Sequence, residues 1–215
     1  MKSVLIIGLG SFGSQLLDQL SKFDIDVMAV DIDEEKINEA VPLATEAVIG
    51  DATNEDFLRT IGIDNYDVCY VCIGDDFESS LETTSLLHDL GAKKIVSLAK
   101  KNIQKKFLLR NGADAVVYPN QEVAKLAAVR YTADNVVDYT PIDNTTSVMV
   151  LTTPKEWFGK RLDEIHIRRK YQINLLSIKI DGVSNYALSA DTIIPENSQV
   201  MVLGDYDSIA ECFKL

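Results

Sequence analysis

Residues Val4 to Gly13 read V-L-I-I-G-L-G-S-F-G, an apolar run that breaks into Gly8, Gly10 and Gly13. The pattern predicts a strand feeding a glycine-rich turn and then a helix starting near Ser11. Each glycine has its own task in such a unit. Gly8 makes the tight turn, Gly10 lets the backbone approach a pyrophosphate, and Gly13 lets the helix pack closely on the strand. A phosphate then rests on free N–H groups at the helix N-terminus. Three spaced glycines alone also describe a flexible turn, so the context decides. A second apolar run, Val27-Met28-Ala29-Val30, ends in Asp31, eighteen residues beyond Gly13. A carboxylate at the tip of the second strand accepts both ribose hydroxyls of an adenosine. Together the two signals predict a nucleotide-binding, Rossmann-like lobe.

Outward from this corner, short apolar runs alternate with helical patterns over the first two-thirds of the chain. Strands are expected at residues 3–8, 26–31, 47–50, 68–73, 94–99 and 114–118. Six strands with five intervening helices define an α/β fold, a doubly wound parallel sheet. Asp33-Glu34-Glu35-Lys36 opens one helix with acids in its first turn, where the helix dipole favours them. Asn54 is placed to cap the helix carrying Phe57 and Leu58, which Gly62 ends. Asp75 or Asp76 starts another crossover helix that closes at Gly91. After Pro119 a helix is expected over residues 120–133, with Val123, Leu126, Ala127 and Val129 as its apolar face. Beyond about Asn135 the pattern changes. Strands are expected at 147–151, 173–180, 186–188 and 199–203, with a turn at Asp181-Gly182 and short helices at 162–169 and 207–213. The predicted division is therefore 1–134, a nucleotide-binding lobe, and 135–215, a small α+β domain. The second piece is too small to bury much surface alone, so dimerisation through it is expected.

Composition narrows the partners. The 215 residues are 47% hydrophobic, ample for packed cores, and carry 21 basic against 33 acidic side chains, a formal charge of −12. Such a field repels nucleic acid and anionic lipid. Met1-Lys2-Ser3 runs straight into the first strand, so no signal peptide is expected. No apolar stretch approaches the ~20 residues that span a bilayer, and the chain is expected in the cytoplasm without membrane insertion. Cys69 and Cys72 spell C-x-x-C, a spacing used for metal and redox chemistry. They fall in a β-branched, apolar run, where residues three apart point to opposite faces. The two sulfurs are thus read as packing groups, as is Cys212, in keeping with a reducing compartment.

The candidate ligand contacts follow the strand tips. If Asp31 holds a ribose it rejects a 2′-phosphate by like charge, which disfavours NADP. Gly50-Asp51-Ala52-Thr53 ends the third strand beside the same crevice; Asp51 either accepts from an adenine amino group or caps the next helix. Ile73-Gly74-Asp75 ends the fourth strand at the switch point where open sheets bind ligands. The candidate binding set is Gly8, Gly10, Ser11, Phe12, Gly13, Asp31, Ile32, Asp51, Ala52, Thr53, Ile73 and Gly74. A dehydrogenase also needs a proton-moving group. His88 and His166 are the only histidines, and neither is expected at the strand tips. No Tyr-x-x-x-Lys pair, G-x-S-x-G or cluster of metal ligands occurs. The lobe is read as binding without reacting. The alternative is an NAD-dependent oxidoreductase whose catalytic groups come from a partner chain; a nucleotide-sensing repressor lacks a helix-turn-helix and conflicts with the negative charge.

Taken together, the two halves resemble the RCK proteins, regulators of K⁺ conductance, and specifically the cytosolic subunits of Ktr/Trk potassium uptake systems. The marks are GLGSFG at 8–13, AVD at 29–31, GDAT at 50–53, CIG at 72–74, NGADAVVYP at 111–119, GKRLDEIHIRRKYQINLLSIK at 159–179 and DTIIPENSQVMVLG at 191–204. The resemblance implies dimers assembling into a ring, usually of eight N-lobes, docked under a membrane pore protein. It also implies that ATP, ADP, AMP or NAD(H) in the N-lobe changes the ring's shape. Three departures stand out: Ser11 where relatives often have Arg, Leu98 where a basic residue is common, and Asn120 where Glu occurs. Each removes a charge that favours a triphosphate, so weak discrimination of ATP from ADP, or a shift toward NAD(H) or AMP, is expected. The resemblance further suggests cyclic di-AMP at the C-lobe, with Arg168 on phosphate and Asn174 and Leu175 framing a base. Leu188 stands where Pro is frequent, and an ion pair is the other reading of Arg168.

Overall fold

A computed structural model describes residues 2–143 and 145–215. The chain divides into two compact units, one ending at Asn120 and a second of Gln121–Leu215.

The first unit alternates strand and helix throughout. Its strands are β1 (Lys2–Ile7), β2 (Ile25–Asp31), β3 (Glu46–Ile49), β4 (Val68–Val71), β5 (Ile95–Leu98) and β6 (Ala115–Val117). Between them run α1 (Ser11–Leu20), α2 (Glu34–Ala40), α3 (Glu55–Ile61), α4 (Phe77–Asp89) and α5 (Asn102–Arg110). The strands form one parallel sheet in the order β3-β2-β1-β4-β5-β6. Val4 to Ile7 reads as an unbroken apolar run because β1 lies at the centre and is covered on both faces. Leu5, Ile7, Cys69 and Val71 pack with Leu58 of α3, Leu87 of α4 and Leu108 of α5. Val4, Ile6 and Cys72 pack in a separate cluster with Leu17 of α1 and Ile37 of α2. Cys69 and Cys72 therefore sit on opposite faces of the sheet, both buried and unpaired.

Local signals place the helix ends. Asp33 accepts from the Glu35 amide, Asn54 from those of Asp56 and Phe57, and Asp76 from those of Glu78 and Ser79. These caps satisfy N–H groups that have no partner inside the helix. Gly62, with φ +68, ends α3 in the left-handed conformation.

The second unit holds the remainder of α6 (Pro119–Thr132), then β7 (Val136–Pro141), β8 (Thr146–Thr152), α7 (Leu162–Ile165), α8 (Ile167–Tyr171), β9 (Asn174–Ile180), β10 (Val183–Asn185), β11 (Gln199–Asp205) and α9 (Tyr206–Phe213). Its five strands form an antiparallel sheet in the order β10-β9-β11-β8-β7. Leu126, Val129 and Ala133 pack against this unit's core, so the division falls at 120/121, earlier than the predicted 134/135.

Three sequence expectations need correction here. The strand expected at 186–188 is absent, because the chain leaves the sheet after Asn185, whose side chain accepts from the Ala187 amide. The helix expected at 162–169 is two short helices broken at His166, which has φ +54. β7 was not foreseen at all. The hairpin turn did form as expected, with Asp181 at φ +47 and Gly182 at φ +84 between β9 and β10.

Candidate functional site

The sheet order fixes where a ligand can lie. β1 pairs with β2 on one side and β4 on the other, so the connections diverge at their C-terminal ends and leave a crevice there. It encloses about 250 Å³ and is lined by the tips of β1, β2, β3 and β4. Gly8, Gly10, Asp31, Ile32, Asp51, Ala52, Thr53, Ile73 and Gly74 of the predicted set all line it. Ser11 and Phe12 line an adjoining cavity of about 410 Å³, which shares Gly10, Gly74 and Asp75 with the first. Gly13 lines neither and lies behind the turn.

The three glycines differ in what a methyl group would meet. At Gly8, with φ +91, it would stand 2.9 Å from the Ile73 nitrogen. At Gly13 it would collide with the Gly8 carbonyl oxygen, so this residue sets the approach of α1 to the turn. At Gly10 it would meet nothing within 4 Å. The fold itself does not require that glycine, and what its missing side chain leaves open is the crevice. Among the described residues no side chain caps α1, and no acid occupies its first turn. Its leading N–H groups, with the positive end of the helix dipole, present an anion-binding edge beside Gly10.

Asp31 is a buried carboxylate, 8% exposed, and it also builds the corner. Its Oδ2 accepts from the Leu9 amide at 2.6 Å and its Oδ1 from the Asp33 amide at 3.0 Å. Lys36 places Nζ 3.7 Å from Oδ1. Each oxygen keeps a second lone pair, so ribose hydroxyls remain acceptable partners. Asp51 uses one oxygen, Oδ1, for the amide and hydroxyl of Thr53, at 2.9 and 2.7 Å. The Thr53 hydroxyl bond, followed by the amide bond, holds its carboxyl below the usual range. Asn54, not Asp51, caps α3. Thr83 of α4 donates to the Ala52 carbonyl, which ties this loop to the helix behind it.

Two cations were missed in the sequence. Lys36 lies beside Asp31 in the crevice. Lys100, two residues past β5, pairs with Asp75 at 2.6 Å and lines the adjoining cavity. Their spacing from Asp33 and from the β5 tip was visible, but their convergence depends on the fold. Ser11, Leu98 and Asn120, the three uncharged residues singled out in the sequence, all line that second cavity.

In the second unit, the four remaining candidates do not form a comparable site within one chain. Leu175 and Leu188 pack against the unit's core, whereas Arg168 on α8 and Asn174 at the start of β9 are exposed. Arg168 makes no ion pair among the described residues. Among the same residues, no group of three or more His, Cys, Asp or Glu side chains could hold a metal. No helix there is long and apolar enough to cross a membrane.

Sheet order and glycine corner define a Rossmann-like module of one type, and the family model for the TrkA-N domain matches residues 4–119. The chain belongs to the TrkA-N family, as an RCK-type subunit related to the Ktr potassium uptake proteins. It is 34% identical to the Ktr system potassium uptake protein C of Bacillus subtilis, over 97% of this chain and 95% of that one. To the Ktr system potassium uptake protein A of the same organism it is 32% identical, over 94% and 91%. Among solved structures, a GsuK channel bound to NAD superposes with a TM-score of 0.68 at 15% identity, covering 98% of this chain. This chain spans only 38% of that channel chain, and the likeness is one of fold.

Proposed function

We propose that this chain is a nucleotide-sensing, non-catalytic gating subunit of a potassium uptake system. An adenine nucleotide or NAD(H) lies in the crevice at the tips of β1, β2 and β4. Asp31 takes the ribose, the α1 amides beside Gly10 take the phosphates, and Asp51 faces the adenine with its second oxygen. The observation that carries this reading is the crevice itself, in a chain that matches Ktr proteins along nearly its whole length. The NAD in the GsuK channel structure supports the ligand class.

The chain acts from the cytoplasm on a membrane potassium-transporter subunit, as dimers joined into a ring, most simply an octamer. A ligand shifts such a ring only by its difference in affinity between two shapes, typically ~1–3 kcal/mol per site. Repeated around the ring, that bias becomes a switch. In the C-lobe, Arg168, Asn174, Leu175 and Leu188 are proposed to contribute half of a cyclic di-AMP site completed by a second copy.

Calorimetry of the full chain with NADH, AMP, ADP and ATP, with light scattering of the same samples, tests the proposal. Saturable binding to a ring-sized species, with NADH unconsumed in the presence of small carbonyl compounds, is expected. A monomer that ignores all four ligands, or one that oxidises NADH, overturns it. Cyclic di-AMP is tested separately on the full chain: Arg168→Ala abolishes its heat if the C-lobe reading holds, and absence of heat from the parent chain refutes it.

A further inference from the structure

The cavity beside the crevice has one cation among its lining residues, and that cation is already paired. Lys100 rises from the end of β5, where the Gln104 side chain accepts from the Lys100 and Lys101 amides at 2.8 and 3.0 Å and so fixes its backbone. Its aliphatic chain lies over Gly74, with Cε 3.0 Å from where a methyl on that glycine would stand. Its ammonium donates to Asp75 Oδ1 at 2.6 Å. Gly10, Ser11 and Phe12, the leading residues of the anion-binding edge, line the same cavity. Asp75 is the more exposed half of the pair, with its side chain 99% exposed against 47% for Lys100.

We infer that Lys100 is the phosphate-counting residue of this site and that Asp75 is its resident counter-ion, displaced when a nucleotide carries more than one phosphate. The inference rests on the nucleotide reading given above and deepens it. The first phosphate engages the α1 amides; a second phosphate reaches the adjoining cavity and takes the Lys100 ammonium. Asp75 can release it at little cost, because an exposed carboxylate is readily rehydrated. The lysine is thereby preorganised over the cavity before the ligand arrives. Because Lys100 bonds to it, the Asp75 carboxyl sits below the usual range and remains charged at neutral pH. Like charge from Asp75 consequently opposes the incoming phosphate until Lys100 changes partner. One cation distinguishes two phosphates from one, but adds little for a third. That agrees with the uncharged side chains of Ser11, Leu98 and Asn120 in the same cavity.

The test is calorimetric titration of the full chain, and of its Lys100→Gln and Asp75→Asn variants, with AMP and with ADP. The ratio of the two affinities is the readout. Lys100→Gln is expected to weaken ADP about five- to tenfold, the loss of one partly exposed charge-assisted bond, with AMP changed by less than about twofold. Asp75→Asn is expected to strengthen ADP severalfold, and by more than it strengthens AMP. Both substitutions lie on exposed side chains, and retained AMP binding reports that the fold is intact. If the parent binds both nucleotides and neither variant moves the ratio, the phosphate-counting role is overturned while the nucleotide reading stands. If the parent binds neither, both fall.

Discussion

Replacing Asp31 by alanine tests whether this acid is a structural brace as well as a ligand contact. The Leu9 amide donates to its Oδ2 at 2.6 Å, and Leu9 is only 5% exposed. Removing the carboxylate strands that N–H away from water, a cost of ~1–3 kcal/mol. Loss of the more exposed Asp33 bond adds ~0.5–1 kcal/mol, and the half-exposed Lys36 contact adds little. The total is roughly 2–4 kcal/mol, a fall in Tm of about 5–15 °C at roughly 2–4 °C per kcal/mol for a chain of this size. Thermal melting of the ligand-free variant by circular dichroism measures it. A Tm within about 2 °C of the parent, less than ~1 kcal/mol, would refute the bracing role. The same variant must lose nucleotide affinity when titrated well below its own Tm, which separates the two functions of the acid.

The glycine corner predicts a contrast. Gly10→Ala leaves the ligand-free Tm unchanged, since its methyl meets nothing, but weakens nucleotide binding by about tenfold or more, the ~1.4 kcal/mol of one displaced phosphate bond. Gly13→Ala lowers the Tm and the affinity together, because its methyl drives into the Gly8 carbonyl. Equal effects of the two substitutions on stability would contradict this assignment. Burial pushes the Cys69 and Cys72 thiols up to about 12 and that of Cys212 up to about 11. The native chain therefore gives no rapid reaction with a disulfide reagent at pH 8, and denaturant exposes all three thiols. Folding keeps these groups protonated, so their contribution to stability is complete below the ordinary thiol value of 9.0 and is lost as pH rises toward 11–12. Urea midpoints that stay level from pH 8 to 11 would contradict that contribution.

The first unit was legible because its signals agree at every level. Predominantly apolar runs at β1, β4 and β5 mark strands covered on both faces, and Asp33, Asn54, Asp76 and Gly62 punctuate the helices between them. The second unit was harder. β7 is an edge strand with a register shift between Val136 and Asp138, which breaks the alternation that would announce it. The stretch at 186–188 has apolar residues, but Asn185 turns the chain out of the sheet before they can pair. The break at His166 has no glycine to mark it. Within the crevice, the glycines and Asp31 were readable from spacing alone. Lys36 and Lys100 were not, because one lies in the first turn of α2 and the other in the loop after β5, and no local periodicity reports which strand tip a flexible lysine will reach.

The crystal structure of the full chain grown with ADP tests the central claim most directly. The account predicts phosphate oxygens within hydrogen-bond distance of the amides of Gly10, Ser11 or Phe12, with a ribose hydroxyl on the Asp31 carboxylate. ADP seated elsewhere, or a crevice left empty at concentrations that saturate the protein in solution, would contradict it.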